Sequence, residues 1–165
     1  MRVTMISMEQ KSKKIRVYKA DLNADLNDIE LFRFGDDCLE MTVEQLFFSE
    51  YQTDGICDAF DIGCVLMDGF GKEEIYKLLA GMDPVIPVVL TEHNRKWTVR
   101  DLLNEAYKEH KWFIVNDLMK DLNEKDLSGI TVEDKNLIMN AWMALQKEED
   151  VSDYEIPLQE ILKKV

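Results

Sequence analysis

The stretch from Asp61 to Glu92, DIGCVLMDGFGKEEIYKLLAGMDPVIPVVLTE, constrains the fold more than any other part of the chain. It holds two apolar runs, Ile62–Met67 and Val85–Leu90, each long enough for a strand and too short for an ordinary helix. Between them, within Gly71–Met82, Ile75, Leu78, Leu79 and Met82 recur at helical spacing. Apolar runs without polar alternation belong to strands covered on both faces, which is how a parallel sheet hides its strands. The local expectation is a strand, helix, strand unit with a right-handed crossover.

Other elements gather around this unit. Lys14–Ala20, KIRVYKA, sets Ile15 and Val17 against Arg16 and Tyr18, the pattern of a half-exposed strand. Ile29–Phe34, IELFRF, carries apolar residues on both faces, as an interior strand would. Asp21–Asp28, DLNADLND, is turn material, so the simplest pairing of these two runs is an antiparallel hairpin. Lys111–Val115, KWFIV, reads as a fifth strand, with Asn116 capping a helix over Asp117–Lys125.

Helix starts repeat one phrase: Met41-Thr42-Val43-Glu44-Gln45, Trp97-Thr98-Val99-Arg100-Asp101 and Ile130-Thr131-Val132-Glu133-Asp134. In each, Thr can cap the first turn and the residue three places later can answer it. Helices are expected over Thr42–Gln52, Gly71–Met82, Thr98–His110 and Thr131–Lys147, with a short last helix ending near Leu162. Convergent capping accounts for the resemblance between the phrases, and a degenerate duplication is the alternative. The expected class is α/β: a mixed, mainly parallel sheet of about five strands with helices packed on it and an all-helical C-terminal segment. Residues 1–13 read as a flexible basic leader, 14–126 as the α/β core domain, and 127–165 as C-terminal helices packed on the same domain.

Charge narrows the function classes. The formal net charge is −13, and it is unevenly spread. Residues 1–20 hold six basic groups and one acidic group, whereas residues 21–68 hold thirteen acidic groups and one basic group. Such a field repels phosphate backbones and draws in basic protein surfaces. The acidic residues expected to form an interaction surface are Asp21, Asp25, Asp28, Asp36, Asp37, Glu40, Glu44, Asp54 and Asp58. With 46% hydrophobic residues and no apolar run near the length of a membrane span, a cytoplasmic setting without membrane contact is expected. Cys38, Cys57 and Cys64 are widely spaced and the histidines are only His93 and His110, a set that implies neither a disulfide framework nor a zinc site.

Catalytic motifs are sparse, so neither an enzyme nor a cofactor is expected. The candidate ligand loop is Asp68, Gly69, Gly71 and Lys72, together with Thr91 and His93 after the next strand, because open α/β sheets bind ligands beyond the carboxyl ends of parallel strands. Lys72 is followed by Glu73 rather than Ser or Thr, and Glu74 stands where a dinucleotide fingerprint wants Gly.

Asp68 after CVLM and Thr91 after IPVVL also resemble the receiver domains of two-component signalling. That resemblance implies a phospho-accepting role for Asp68 and an acidic pair after the first strand to hold Mg²⁺. Asn116-Asp117 occupy the place of the receiver lysine, and Asp21 and Asp25 are not adjacent. Three readings therefore stand after the sequence alone. The leading one is a non-enzymatic acidic regulator or inhibitor that binds a basic protein surface, with nucleic-acid mimicry as its sharper form. The others are a degenerate receiver and a small-ligand-binding or enzymatic α/β domain.

Overall fold

The computed structural model describes residues 13–22, 28–49, 55–80, 82 and 84–165. Residues 1–12 of the basic leader, Asp25 and Asp54 lie outside the described residues, whereas the helix expected to reach Gln52 already ends at Phe48, where Ser49 turns extended. Contacts divide the chain into two compact units, one ending at Leu103 and one running Asn104–Val165.

The first unit is built on four strands: β1 (Lys13–Tyr18), β2 (Ile29–Phe34), β3 (Cys64–Asp68) and β4 (Ile86–Val89). They form one open mixed sheet in the order β2-β1-β3-β4. The helix α2 (Lys72–Leu79) joins β3 to β4, which run parallel from Cys64↔Ile86 to Met67↔Val89. The strand, helix, strand unit expected from Asp61–Glu92 is present.

The pairing of the first two strands differs from the hairpin. β1 and β2 are parallel, in register from Lys13↔Ile29 to Tyr18↔Phe34, and β1 is antiparallel to β3 instead. The reason lies in the connection. Ala20 and Leu22 pack against the buried cluster of Ile15, Val17, Val65 and Met67, so the chain leaves β1 over that face of the sheet. Ile75 and Leu78 of α2 cover the same face.

The second face also is closed, so KIRVYKA is no half-exposed strand. Ile15, Arg16, Val17 and Tyr18 are all buried, Arg16 completely at 0% exposure. The helix α1 (Val43–Phe48) lies over Arg16 and presents its C-terminal carbonyls to the guanidinium. Arg16 Nε donates to Leu46 O at 3.1 Å and Nη2 donates to Phe47 O at 2.9 Å. Nη1 donates to Ile15 O at 3.1 Å, and Nη2 also reaches Glu30 Oε1 at 3.0 Å. The rings of Phe32 and Phe47 lie 4.5 and 5.0 Å from the guanidinium carbon. A buried cation is tolerable only when its donors are met, and here the strand, its neighbour and a helix end share the task.

Two of the repeated phrases meet in space. Thr42 and Thr98 form an antiparallel bridge: Val43 N–H donates to Trp97 O and Val99 N–H to Met41 O, both at 2.9 Å. Each helix start thus satisfies a first-turn amide of the other. Thr42 and Gln45 make a full capping box (Thr42 N–H to Gln45 Oε1 2.9 Å, Gln45 N–H to Thr42 Oγ1 3.1 Å), and Thr98 Oγ1 accepts from Asp101 N–H at 3.1 Å.

The helix that starts at Thr98 is α3 (Val99–Asn123), unbroken through Lys111–Val115. The fifth strand and the separate helix capped by Asn116 are therefore absent, and the sheet has four strands. Read at helical period, Trp112, Val115, Met119 and Leu122 fall on one face, and that face enters the core of the second unit. No glycine or proline interrupts Val99–Asn123, and burial of the helical face overrides the strand propensity of Trp, Phe, Ile and Val.

The second unit adds α4 (Val132–Gln146) and α5 (Glu155–Leu162) to the rest of α3. Its core joins Val115, Met119 and Leu122 to Ala141, Leu145, Leu158 and Ile161. Lys111 and Glu155 form a half-buried ion pair between α3 and α5. Trp142 of α4 is half exposed. Among the described residues, no helix is long and apolar enough to cross a membrane.

Replacing Arg16 with Met would leave the Leu46 and Phe47 carbonyls without their donor and Glu30 without its partner. The expected loss, read by urea unfolding, is about 3–5 kcal/mol, the range for breaking a buried charge pair from one side. A loss below about 1 kcal/mol would show that the clamp is not needed.

Candidate functional site

The parallel pairing of β3 and β4 brings the two candidate loops to one edge of the sheet. Asp68 ends β3, and the chain leaving β4 passes Thr91 and His93 to reach Arg95, whose Nη2 lies 2.6 Å from Asp68 Oδ1. Thr91 N–H donates to Asn94 Oδ1 at 2.8 Å, Asn94 N–H returns to Thr91 Oγ1 at 3.1 Å, and Asn94 Nδ2 holds Val89 O at 3.1 Å. His93 sits edge-on to Trp97, ring centres 5.3 Å apart. Arg95 is the residue that sequence reading missed. Its signal was the basic run His93-Asn94-Arg95-Lys96 opposite an acid at the end of a parallel neighbour.

On the other side, Gly69 takes φ 86°, a left-handed turn that favours glycine. Gly71 precedes α2, and its N–H donates to Glu74 Oε1 at 3.3 Å. Glu74 also pairs with Lys13, while Lys72 is exposed. The start of α2 is therefore occupied by a carboxylate of its own first turn, the position a bound phosphate would need.

The antiparallel pairing of β1 with β3 separates the receiver-like residues. Lys14 stands opposite Asp68, so the start of β1 borders the candidate loop. Asp21 follows the far end of β1 and pairs with Arg33 at 2.9 Å. In a receiver the first and third strands run the same way, which is what lets acids and phosphoacceptor share an edge. Among the described residues, no group of three or more His, Cys, Asp or Glu side chains is placed to hold a metal ion.

The acidic segment divides into carboxylates with structural work and carboxylates at the surface. Asp36 belongs to the first kind. Its Oδ1 accepts from Tyr18 OH at 2.6 Å, and its Oδ2 accepts from Asp58 N–H at 2.9 Å and Ala59 N–H at 3.2 Å. Gly35 lets the 55–56 backbone approach here, since a Cβ would lie 2.8 Å from Ile56 O. Glu40 pairs with Arg100 at 2.6 Å. Asp37 is exposed on the 3-10 turn Asp36–Cys38, and Glu44 is exposed in the first turn of α1. Asp28 and Asp58 are exposed as well, and Asp61, just before β3, joins them. Among the described residues, Asp28, Glu44, Asp58 and Asp61 make no ion pair. The same segment leaves Phe48 and Ile56 standing in solvent, 72% and 71% exposed.

The cysteines are free thiols, Cys38 and Cys64 buried, and burial pushes Cys64 up to about 12. A thiol of that kind is a small core residue rather than a nucleophile.

One family model matches, over residues 64–113, and it is described as a domain of unknown function (DUF3783). The matched stretch begins at the first residue of β3 and ends within α3. Neither the curated proteins nor the solved structures compared give a match.

The Tyr18–Asp36 contact yields a pH signature. The Tyr18 hydroxyl, then the two loop amides, hold the Asp36 carboxyl below its usual range. Burial, with Asp36 second, pushes the Tyr18 phenol above its usual range. Asp36 therefore contributes stability that is complete above the ordinary carboxylate pKa of about 4 and is lost as pH falls through its lowered value. Tyr18 contributes stability that is complete below about pH 10 and is lost as pH rises toward its raised value. Unfolding free energy measured against pH should lose part of its acid slope in Asp36→Asn and part of its alkaline slope in Tyr18→Phe. Unchanged slopes in both variants would remove the contact from the account.

Proposed function

We propose that this protein is a non-enzymatic interaction protein that offers an acidic, partly apolar surface of its first unit to a basic protein partner. The observation that carries the reading is the company kept by the surface charges. Glu44 lies on the helix that ends with exposed Phe48, and Asp58 follows exposed Ile56 in the loop held by Asp36. Large apolar side chains in water beside unpaired carboxylates are what a partner surface uses: the apolar groups give affinity on burial and the charges steer approach. A regulator or inhibitor acting through such a surface needs no catalytic group. Mimicry of nucleic acid is the special case in which the basic partner is itself a nucleic-acid-binding protein.

A second reading rests on the β3–β4 edge, where Arg95 reaches Asp68 and where Thr91 and His93 lie in the same loop beyond parallel strands. A small anionic ligand there would have to compete with Asp68 for Arg95 and with Glu74 for the start of α2.

Purified core histones serve as a generic basic probe. Binding should weaken steeply between about 0.05 and 0.3 M salt, since exposed charges are screened within roughly 10 Å at 0.1 M. Glu44→Lys, Asp58→Lys and Asp61→Lys combined should weaken it at least about tenfold, and Phe48→Ser should weaken it without altering the salt slope. Salt-insensitive binding, or a triple variant that binds as well as the parent, would count against the proposal. For the second reading, a nucleotide panel in a thermal-shift assay should raise the midpoint only in a protein that keeps Arg95, with Arg95→Ala as the control.

A further inference from the structure

The second unit has a groove of its own. Glu105, Glu109, Trp112 and Phe113 of α3 and the turn Glu148-Glu149-Asp150 after α4 line an open groove of about 450 Å³. Its aromatic wall is fixed: Trp112 Nε1–H donates to Leu145 O at 3.3 Å, and Phe113 stands against it edge-on at 5.3 Å and 88°. Phe113 is 53% exposed, so its ring remains open to a ligand. The acidic turn is held in shape as well. Glu148 takes φ 55°, Glu149 N–H donates to Ala144 O at 3.0 Å, and Asp150 Oδ1 accepts from Ser152 Oγ at 2.6 Å and Ser152 N–H at 3.0 Å. Those bonds keep the Asp150 carboxyl below its usual range and ionised.

We propose that this groove docks a partner peptide through an arginine side chain, its guanidinium stacked on the aromatic wall and paired with the surrounding carboxylates. Lys108 is the one basic group on the lining, against five carboxylates. An anion would meet repulsion on almost every side, and an apolar occupant would strip water from carboxylates without replacing it. A guanidinium is planar, weakly hydrated and able to stack and bond in a fork at once, which suits a groove with both kinds of wall. The site goes beyond the acidic surface of the first unit and involves none of its residues.

A fluorescein-labelled peptide of alternating glycine and arginine, titrated against the full chain by anisotropy, tests this. Saturable binding is expected, weakened at least about fivefold by Phe113→Ala and at least about tenfold by Glu149→Lys. The lysine version of the peptide should bind more weakly than the arginine version. Glu44→Lys combined with Asp58→Lys and Asp61→Lys should leave peptide binding within about twofold, which separates this site from the first unit's surface. Circular dichroism verifies that each variant is folded. Absence of saturable binding, groove variants that bind like the parent, or equal losses in both sets of variants would overturn the proposal.

Discussion

Arg16 is the contact on which the first unit turns. It lies in β1, a central strand of the sheet, with no solvent exposure, and its guanidinium gathers β1, β2 and the end of α1. The last carbonyls of a helix carry partial negative charge and lack intrahelical donors, so a buried cation there meets two needs together. Burial lowers the Arg16 pKa and Glu30 opposes that shift, yet a guanidinium stays charged at any ordinary pH. The sheet face beneath α1 is therefore specified by hydrogen-bond geometry as well as by apolar area. Lys in this place would supply charge without the fork that reaches Leu46, Phe47 and Glu30 together.

Around the β1–β3 pairing the first unit has the same order of elements twice. β1, a connection, β2, a 3-10 turn and α1 are followed by β3, α2, β4, a 3-10 turn and the start of α3. β1 is antiparallel to β3, each has its own parallel partner outside it, and Ala20 and Leu22 after β1 pack on the same cluster as Ile75 and Leu78 after β3. The two helix starts then meet at the Thr42–Thr98 bridge. This arrangement explains why Val43 and Val99 are fully buried while Val132, in the third copy of the phrase, is exposed: Thr131 caps its helix but has no bridged partner among the described residues. Good capping suffices for the third phrase. For the first two, pairing is a further reason for the shared residues. The family match falls on the second half, where the connection is long enough to form α2.

The parts legible in the sequence were those in which one short segment fixes its own environment. Ile62–Met67 and Val85–Leu90 are apolar throughout, so a parallel pair was the natural reading, and the loops at its carboxyl edge followed; β3 is buried as expected, whereas β4, at the edge of the sheet, leaves Pro87 and Val89 exposed. Arg16 was not legible, because alternation treats a charged residue as a solvent-facing one and nothing local shows that a distant helix end will supply carbonyls. The direction of β2 was hidden for a similar reason. Asp-rich turn residues signal a change of course, but only packing of Ala20 and Leu22 on Ile15 and Val17 decides where the chain goes next. KWFIV shows the opposite failure, in which strong local propensity yields to a helical face ending in Val115, Met119 and Leu122.

Composition also overstated the free charge of the acidic segment. Glu30 is engaged with Arg16, Asp21 with Arg33, Asp36 with Tyr18 and a loop, Glu40 with Arg100, and Asp68 with Arg95. Those carboxylates help to hold the unit together and cannot turn toward a partner without giving up their bonds. What remains on the described surface is a smaller set, Asp28, Glu44, Asp58 and Asp61; Glu44 lies four residues before exposed Phe48 on the same helix, and Asp58 two residues after exposed Ile56. The second unit repeats that combination with different means, since its carboxylates border a fixed aromatic pair. A basic partner would thus meet localised sites in which charge and apolar area coincide. Net charge alone would set the rate of approach and leave the choice of partner open.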